Sequence, residues 1–155
     1  MELVYAYASE AYAARHGSSI LPHGTIIRPM HPFIVWSNLA YLIPAGIAVF
    51  FGMWLVAALM LELSIMSTIF HMRRTPWLMK VDDFSSYLVF LVCIVLLYVG
   101  RSSPWFWWAA LFIATSFFVR MFLDTNYKHP VYHGVWHICA ALVVTCCIFA
   151  GASAL

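Results

Sequence analysis

From Phe33 onward the chain is written in long apolar blocks separated by short polar interruptions. The blocks run from about Phe33 to Phe51, Trp54 to His71, Phe84 to Gly100, Trp105 to Met121 and His133 to Ala154. Each approaches the ~17–25 residues that an α-helix needs to cross the hydrocarbon of a bilayer. Lipid offers backbone N–H and C=O groups no partners, so a helix is the form such a block must take. The pattern predicts an all-α fold, a polytopic transmembrane helix bundle of five spans. Pro44 falls inside the first block, where neighbouring helices can satisfy the carbonyl it frees, and at most a kink is expected there. "RSSPW" punctuates the turn between the third and fourth spans, and "DTNYKHP" separates the fourth from the fifth.

Residues 1–30 stand apart from these blocks. The Ala/Tyr pattern of "MELVYAYASEAYAARHG" predicts a short interfacial helix ended near Gly17. The segment lacks the basic start and apolar run of a cleaved signal peptide. Residues 31–155 are expected to form a single transmembrane domain. Composition agrees: 65% of the 155 residues are hydrophobic and 9% are charged, against about a quarter charged in soluble domains. A formal charge of +2 is too small to argue for a nucleic-acid partner. Cys93, Cys139, Cys146 and Cys147 all fall inside apolar blocks without metal-type spacing, and read as reduced, buried and space-filling.

Alternation of direction has a consequence for chemistry. The second span ends and the third begins on one side of the bilayer, and two crossings later the fifth begins on that same side. Ser67 and His71, the Asp82–Asp83 pair, and His133 with His137 must therefore approach one membrane face. Ser67/His71 and His133/His137 are each i, i+4 pairs and share a helix face. Arg15, Arg28, Arg73, Arg74, Lys80, Arg120 and Lys128 lie on or near that side, leaving Arg101 opposite. By the positive-inside rule the histidine side and the N-terminus are expected in the cytoplasm.

An ionisable group in a span is costly and by default faces the bundle interior with a partner. Three imidazoles with one open position match a catalytic zinc, whose bound water is acidified toward a pKa of about 7. An aspartate opening the third span could hold or deprotonate that water, and the Ser67 hydroxyl could serve the ligands or a developing oxyanion. Each has a plainer reading. Ser67 could simply bond between helices, and the Asp82–Asp83 pair could be a solvated turn at a helix N-terminus.

Other residues read as structural. Glu62 lies nine positions before His71, about half a turn from the histidine face, and is expected to bond a neighbouring helix or subunit. Asn38 and Ser37 read as interhelical bonds, and Arg120 with Asp124 as an i, i+4 pair. "PWFWWAALF" reads as an aromatic belt on the outer side. His16, His23, His31 and His129 lie in polar flanks, with His129 a spare ligand at best.

"SIMSTIFHM", "KVDDFSSYLVFLV" and "HGVWH", in that order, resemble the CREST superfamily of membrane proteins. That group includes the alkaline ceramidases, the progestin and adiponectin receptors and the myomaker-like proteins. Its shared pattern is SxxxH on the second helix, an Asp opening the third and HxxxH on the last. "WSNLAYLIPAG" is similar to the first helix of the myomaker-like branch. The resemblance implies zinc held by His71, His133 and His137, and water attacking a lipid amide, ceramide above all. It also implies an Asp that positions the water and a Ser67 that helps stabilise the oxyanion. "DFSSY" looks like the receptor branch and favours Asp83, whereas the ceramidase branch would favour Asp82.

Two departures bear on this. Members of the family usually have seven spans, so five leave the lipid chamber two walls short, with a second copy or a partner subunit as candidates to close it. The ceramidases also carry an acidic N-terminal calcium site, and "MELVYAYASE" offers only Glu2 and Glu10, so no calcium is expected. The leading expectation is a zinc-dependent hydrolase of a lipid amide (ceramide-like) or ester. The alternative is a non-catalytic receptor-like or assembly protein that keeps zinc as a structural staple. Haem fits less well, since two of the histidines lie one turn apart on a single helix.

Overall fold

The structure is a computed structural model that describes residues 32–73, 75–123 and 130–154. The expected interfacial helix, Glu2 and Glu10, His129, and the Asp124 partner of Arg120 lie outside these residues. Every element among them is helical. In chain order they are α1 (Pro32–Leu39), α2 (Leu42–Phe50), α3 (Trp54–Arg73), α4 (Pro76–Val99), α5 (Pro104–Phe118) with a π turn (Val119–Leu123), and α6 (Pro130–Ala152). Five stretches are long and apolar enough to cross a membrane, α1 and α2 together making the first. The chain is a multi-pass membrane protein.

Pro44 does more than kink the first span. Lacking an N–H, it cannot bond to the Ala40 carbonyl. That oxygen instead takes the N–H of Ile43 at 3.2 Å, and the turn tightens through Ala40 N to Ser37 O and Tyr41 N to Asn38 O. The span divides at Ala40–Tyr41. Gly52, at φ 71°, reverses the chain into α3, a left-handed conformation open to glycine at little cost.

The third span starts earlier than expected, at Pro76 and not near Phe84. Thr75 is extended and its Oγ1 accepts from Leu78 N at 3.4 Å, with Pro76 in the first helical position. That is a complete helix start. Asp82 and Asp83 consequently lie in the second turn of α4, not in a solvated turn ahead of it. Ser103 and Pro104 open α5 in the same way.

The last helix is the hub. Half of its spanning stretch is buried, against 17% for α4 and for α5, and it packs on α1, α2, α4 and α5. Small residues make this approach possible. A Cβ on Gly100 would run into the backbone carbonyl of Ala150, and one on Gly134 would stand 2.5 Å from the Phe33 ring. The half of the bundle away from the histidines is an apolar core around Met60, Cys93, Val144, Cys147 and Ile148. All four cysteines are free and buried. Trp107 and Trp108 face outward, whereas Trp105 stacks on Phe149 of α6 at 4.8 Å between centroids.

Candidate metal centre

At the other end of the bundle, α3 and α6 bring His71, His133 and His137 together. They are 4%, 3% and 2% exposed. His133 and His137 stand one turn apart on α6, and Gly134 between them lets Phe33 and Ser37 of α1 press close to the helix backbone there. His71 reaches across from the last turn of α3. The three Nε2 atoms form a nearly equilateral triangle, with sides of 3.2 Å (His71–His137), 3.1 Å (His71–His133) and 3.0 Å (His133–His137).

That triangle cannot be satisfied by hydrogen bonds alone. Each contact needs one N–H and one lone pair. Three nitrogens closed in a ring cannot alternate donor and acceptor, so at least one side must join like with like. A cation that accepts a lone pair from every Nε2 removes the conflict. The dimensions agree: the centre of such a triangle lies about 1.8 Å from each corner, slightly less than the ~2.0–2.1 Å of a zinc–imidazole bond. Among the described residues these three are a group that could hold a metal ion.

Around the triangle the bundle arranges further polar groups. His137 Nδ1 lies 3.0 Å from the hydroxyl of Tyr41, whose ring meets the imidazole edge-on at 5.7 Å. Trp136 lies against both His133 and His137 and carries the Arg120 guanidinium 5.8 Å from its ring centroid. Arg120 belongs to the π turn. Such wide turns recur at functional sites.

Ser67 is 1% exposed and stands one turn from His71. The Asp82 carboxyl lies near it on α4. Yet neither Ser67 Oγ nor Asp82 Oδ1 completes a bond of good geometry among the described residues, although both atoms are buried. Asp83, one residue and about 100° further round the helix, is exposed. Asp82 lies on the inward stripe of α4 with Leu78, Ser85 and Val89, whereas Asp83, the residue favoured by the receptor-like pattern, faces outward.

Glu62 bonds where a helix staple should. Ser85 Oγ of α4 donates to Glu62 Oε1 at 2.7 Å, away from the histidines. Asn38 joins α1 to α3 through Nδ2 to Thr68 Oγ1 at 3.3 Å, and its backbone carbonyl accepts from Ser64 Oγ at 3.1 Å. Ser37 instead bonds within its own helix, to Ile34 O. Tyr41 escaped the sequence reading. The available signal was a tyrosine in mid-span, whose hydroxyl must find a partner if the ring is buried.

No family model, curated protein or solved structure matches the chain.

Proposed function

We propose that this chain is a zinc-dependent intramembrane hydrolase that cleaves a lipid amide, ceramide-like, or a lipid ester. The observation that carries the reading is the three-nitrogen triangle beside two buried oxygens, Ser67 Oγ and Asp82 Oδ1, without completed hydrogen bonds. A metal staple alone would need only the nitrogens. The additional acceptor and hydroxyl, drawn from two helices, suit a site that handles water and a carbonyl. The motif resemblance to the CREST proteins supports the same assignment.

Zinc, when bound, supplies a Lewis acid and brings the pKa of water in its open position to about 7. Asp82 Oδ1 takes the proton of the attacking water. Ser67 Oγ–H donates to the carbonyl oxygen as negative charge grows there, a role worth about 10²–10³ in rate. The water oxygen adds to the carbonyl carbon and the C–N or C–O bond breaks. The proton held by Asp82 passes to the departing amine or alcohol. The substrate enters sideways from the bilayer, and the wide lipid-facing surfaces of α4 and α5 leave room for a second copy or partner subunit to complete the chamber. Arg73, Lys80 and Arg120 belong to helix ends on the histidine side and Arg101 to the opposite turn, a bias that supports a cytoplasmic site and N-terminus.

The near-complete burial of the three imidazoles also suits a structural zinc in a non-catalytic protein. Purified protein assayed for metal content and for release of fatty acid from ceramide and ester lipids separates the two. Asp82→Asn that keeps its zinc and loses turnover supports the hydrolase. A zinc-loaded wild type inactive on every acyl amide and ester leaves the staple.

A further inference from the structure

We propose that Tyr41 is a positioning residue of the metal centre, its phenol oxygen accepting the Nδ1–H of His137 and so keeping that imidazole's Nε2 lone pair turned to the ion. The inference rests on the zinc reading above. Tyr41 is 3% exposed and its Oη lies 3.0 Å from Nδ1. A neutral imidazole has one hydrogen for two nitrogens. If Nε2 is to bind an ion, the hydrogen must be on Nδ1, and a buried N–H needs an acceptor. The phenol oxygen is that acceptor.

The opposite direction has a definite cost. Were the Tyr41 hydroxyl to donate to Nδ1, the imidazole hydrogen would sit on Nε2 and point into the triangle, and His137 could not be a ligand. Asp82 favours the first arrangement. Its carboxyl acts electrostatically on Tyr41, and an O–H dipole turns its hydrogen toward a negative charge, leaving the oxygen lone pairs for Nδ1–H. The site of this contact follows from the backbone: Tyr41 stands in the break that Pro44 imposes on the first span. The proline that interrupts the helix thus also places the phenol, and the first span, which supplies no nitrogen to the triangle, comes to govern one that does.

The test uses the full chain in detergent, with zinc affinity read by competition against a chromogenic chelator and ligand geometry by the visible absorption of the Co²⁺-loaded protein. Tyr41→Phe keeps the ring and removes the acceptor. It is expected to weaken zinc about 10–100-fold, the usual loss for a partner that orients a metal ligand, and to shift the Co²⁺ bands. Replacing Tyr41 by 3-fluorotyrosine keeps the shape while making the oxygen a weaker acceptor and a better donor. Zinc binding is expected to weaken in that variant too, and a tightening would overturn the proposal by showing that Tyr41 donates. Should Tyr41→Phe not fold, the fluorinated residue decides alone. Unchanged affinity and spectrum in Tyr41→Phe, with zinc-binding wild type, would end the Tyr41 role and leave the zinc reading standing. A wild type that takes up no metal ends both.

Discussion

Glu62 with Ser85, and His71 with His133 and His137, are two polar groupings built on the same helix, α3, and both sit within spanning stretches. They resolve their hydrogen bonding in opposite ways. Glu62 lies about 16 Å along the helix from its Arg73 end, half-buried in mid-span, and meets Ser85 at 2.7 Å. The histidines lie nearer the end of the bundle, touch one another at 3.0–3.2 Å, and form an odd ring that no placement of hydrogens can satisfy. A pair can close on itself and a triangle cannot. In a membrane, where an unmade hydrogen bond has no water to turn to, the unclosed set is the one that calls for a ligand.

The comparison breaks most forcefully at the triangle. With zinc at about a thousand times its Kd, linkage stabilises wild type by about 4 kcal/mol. His71→Ala, His133→Ala and His137→Ala are each expected to lose this increment entirely, measured as the shift in Tm between zinc and chelator. If any one of them keeps the full shift, that imidazole is not a ligand.

Next come the two oxygens that set the site apart from a staple. Asp82→Asn preserves shape but cannot take a proton, and lipid amide turnover is expected to fall about 10²–10⁴-fold with zinc retained. Asp83→Asn should leave turnover unchanged, because Asp83 is exposed. Comparable losses in both variants would remove the distinction drawn between them.

The bundle was legible in the sequence because a bilayer leaves so few options. Long apolar blocks must be helices, and five of them must alternate in direction. The histidines followed from parity: residues far apart in the chain, at the end of one block and the start of another, had to share a side. Distances within a helix were legible too, hence the paired faces of Ser67/His71 and His133/His137. What could not be read was rotation. Choosing between Asp82 and Asp83 required knowing which stripe of α4 packs inward, the one that carries Leu78, Ser85 and Val89. Recognising Tyr41 required the local tightening around Ala40 that Pro44, three residues after the tyrosine, imposes. Arg120 offered no sequence signal for its π turn, which sets the guanidinium over Trp136.

A smaller effect is expected where α1 closes on the histidine helix. The Cβ of Gly134→Ala would stand 2.5 Å from the Phe33 ring and 3.2 Å from Ser37 Oγ. Because the obstacle is a side chain, part of the clash can be relieved by rotation, and the overpacking should cost about 1–3 kcal/mol. The loss should appear with and without zinc, as a lower Tm in both conditions, since it acts on helix packing and not on the nitrogens. A loss seen only with zinc would mean that the glycine serves the metal directly.

The mildest outcome belongs to Glu62, and it is the most diagnostic for the contrast. Ser85 Oγ stands 2.7 Å from Glu62 Oε1 and also 2.9 Å from the Val81 carbonyl one turn back. Removing the carboxyl in Glu62→Ala therefore leaves no orphan, because the serine hydrogen turns to Val81. The cost should be that of one interhelical bond in a membrane, about 0.6–1.7 kcal/mol, with zinc affinity intact. Glu62→Gln, which can still meet Ser85, should cost less again. The reasoning is the same that makes the histidines functional: what matters is whether the polar atoms left behind can still pair. If Glu62→Ala instead abolished zinc uptake or turnover while the protein stayed folded, the carboxyl would belong to the site, and the line drawn between the closed pair and the open triangle would have to be redrawn through α3.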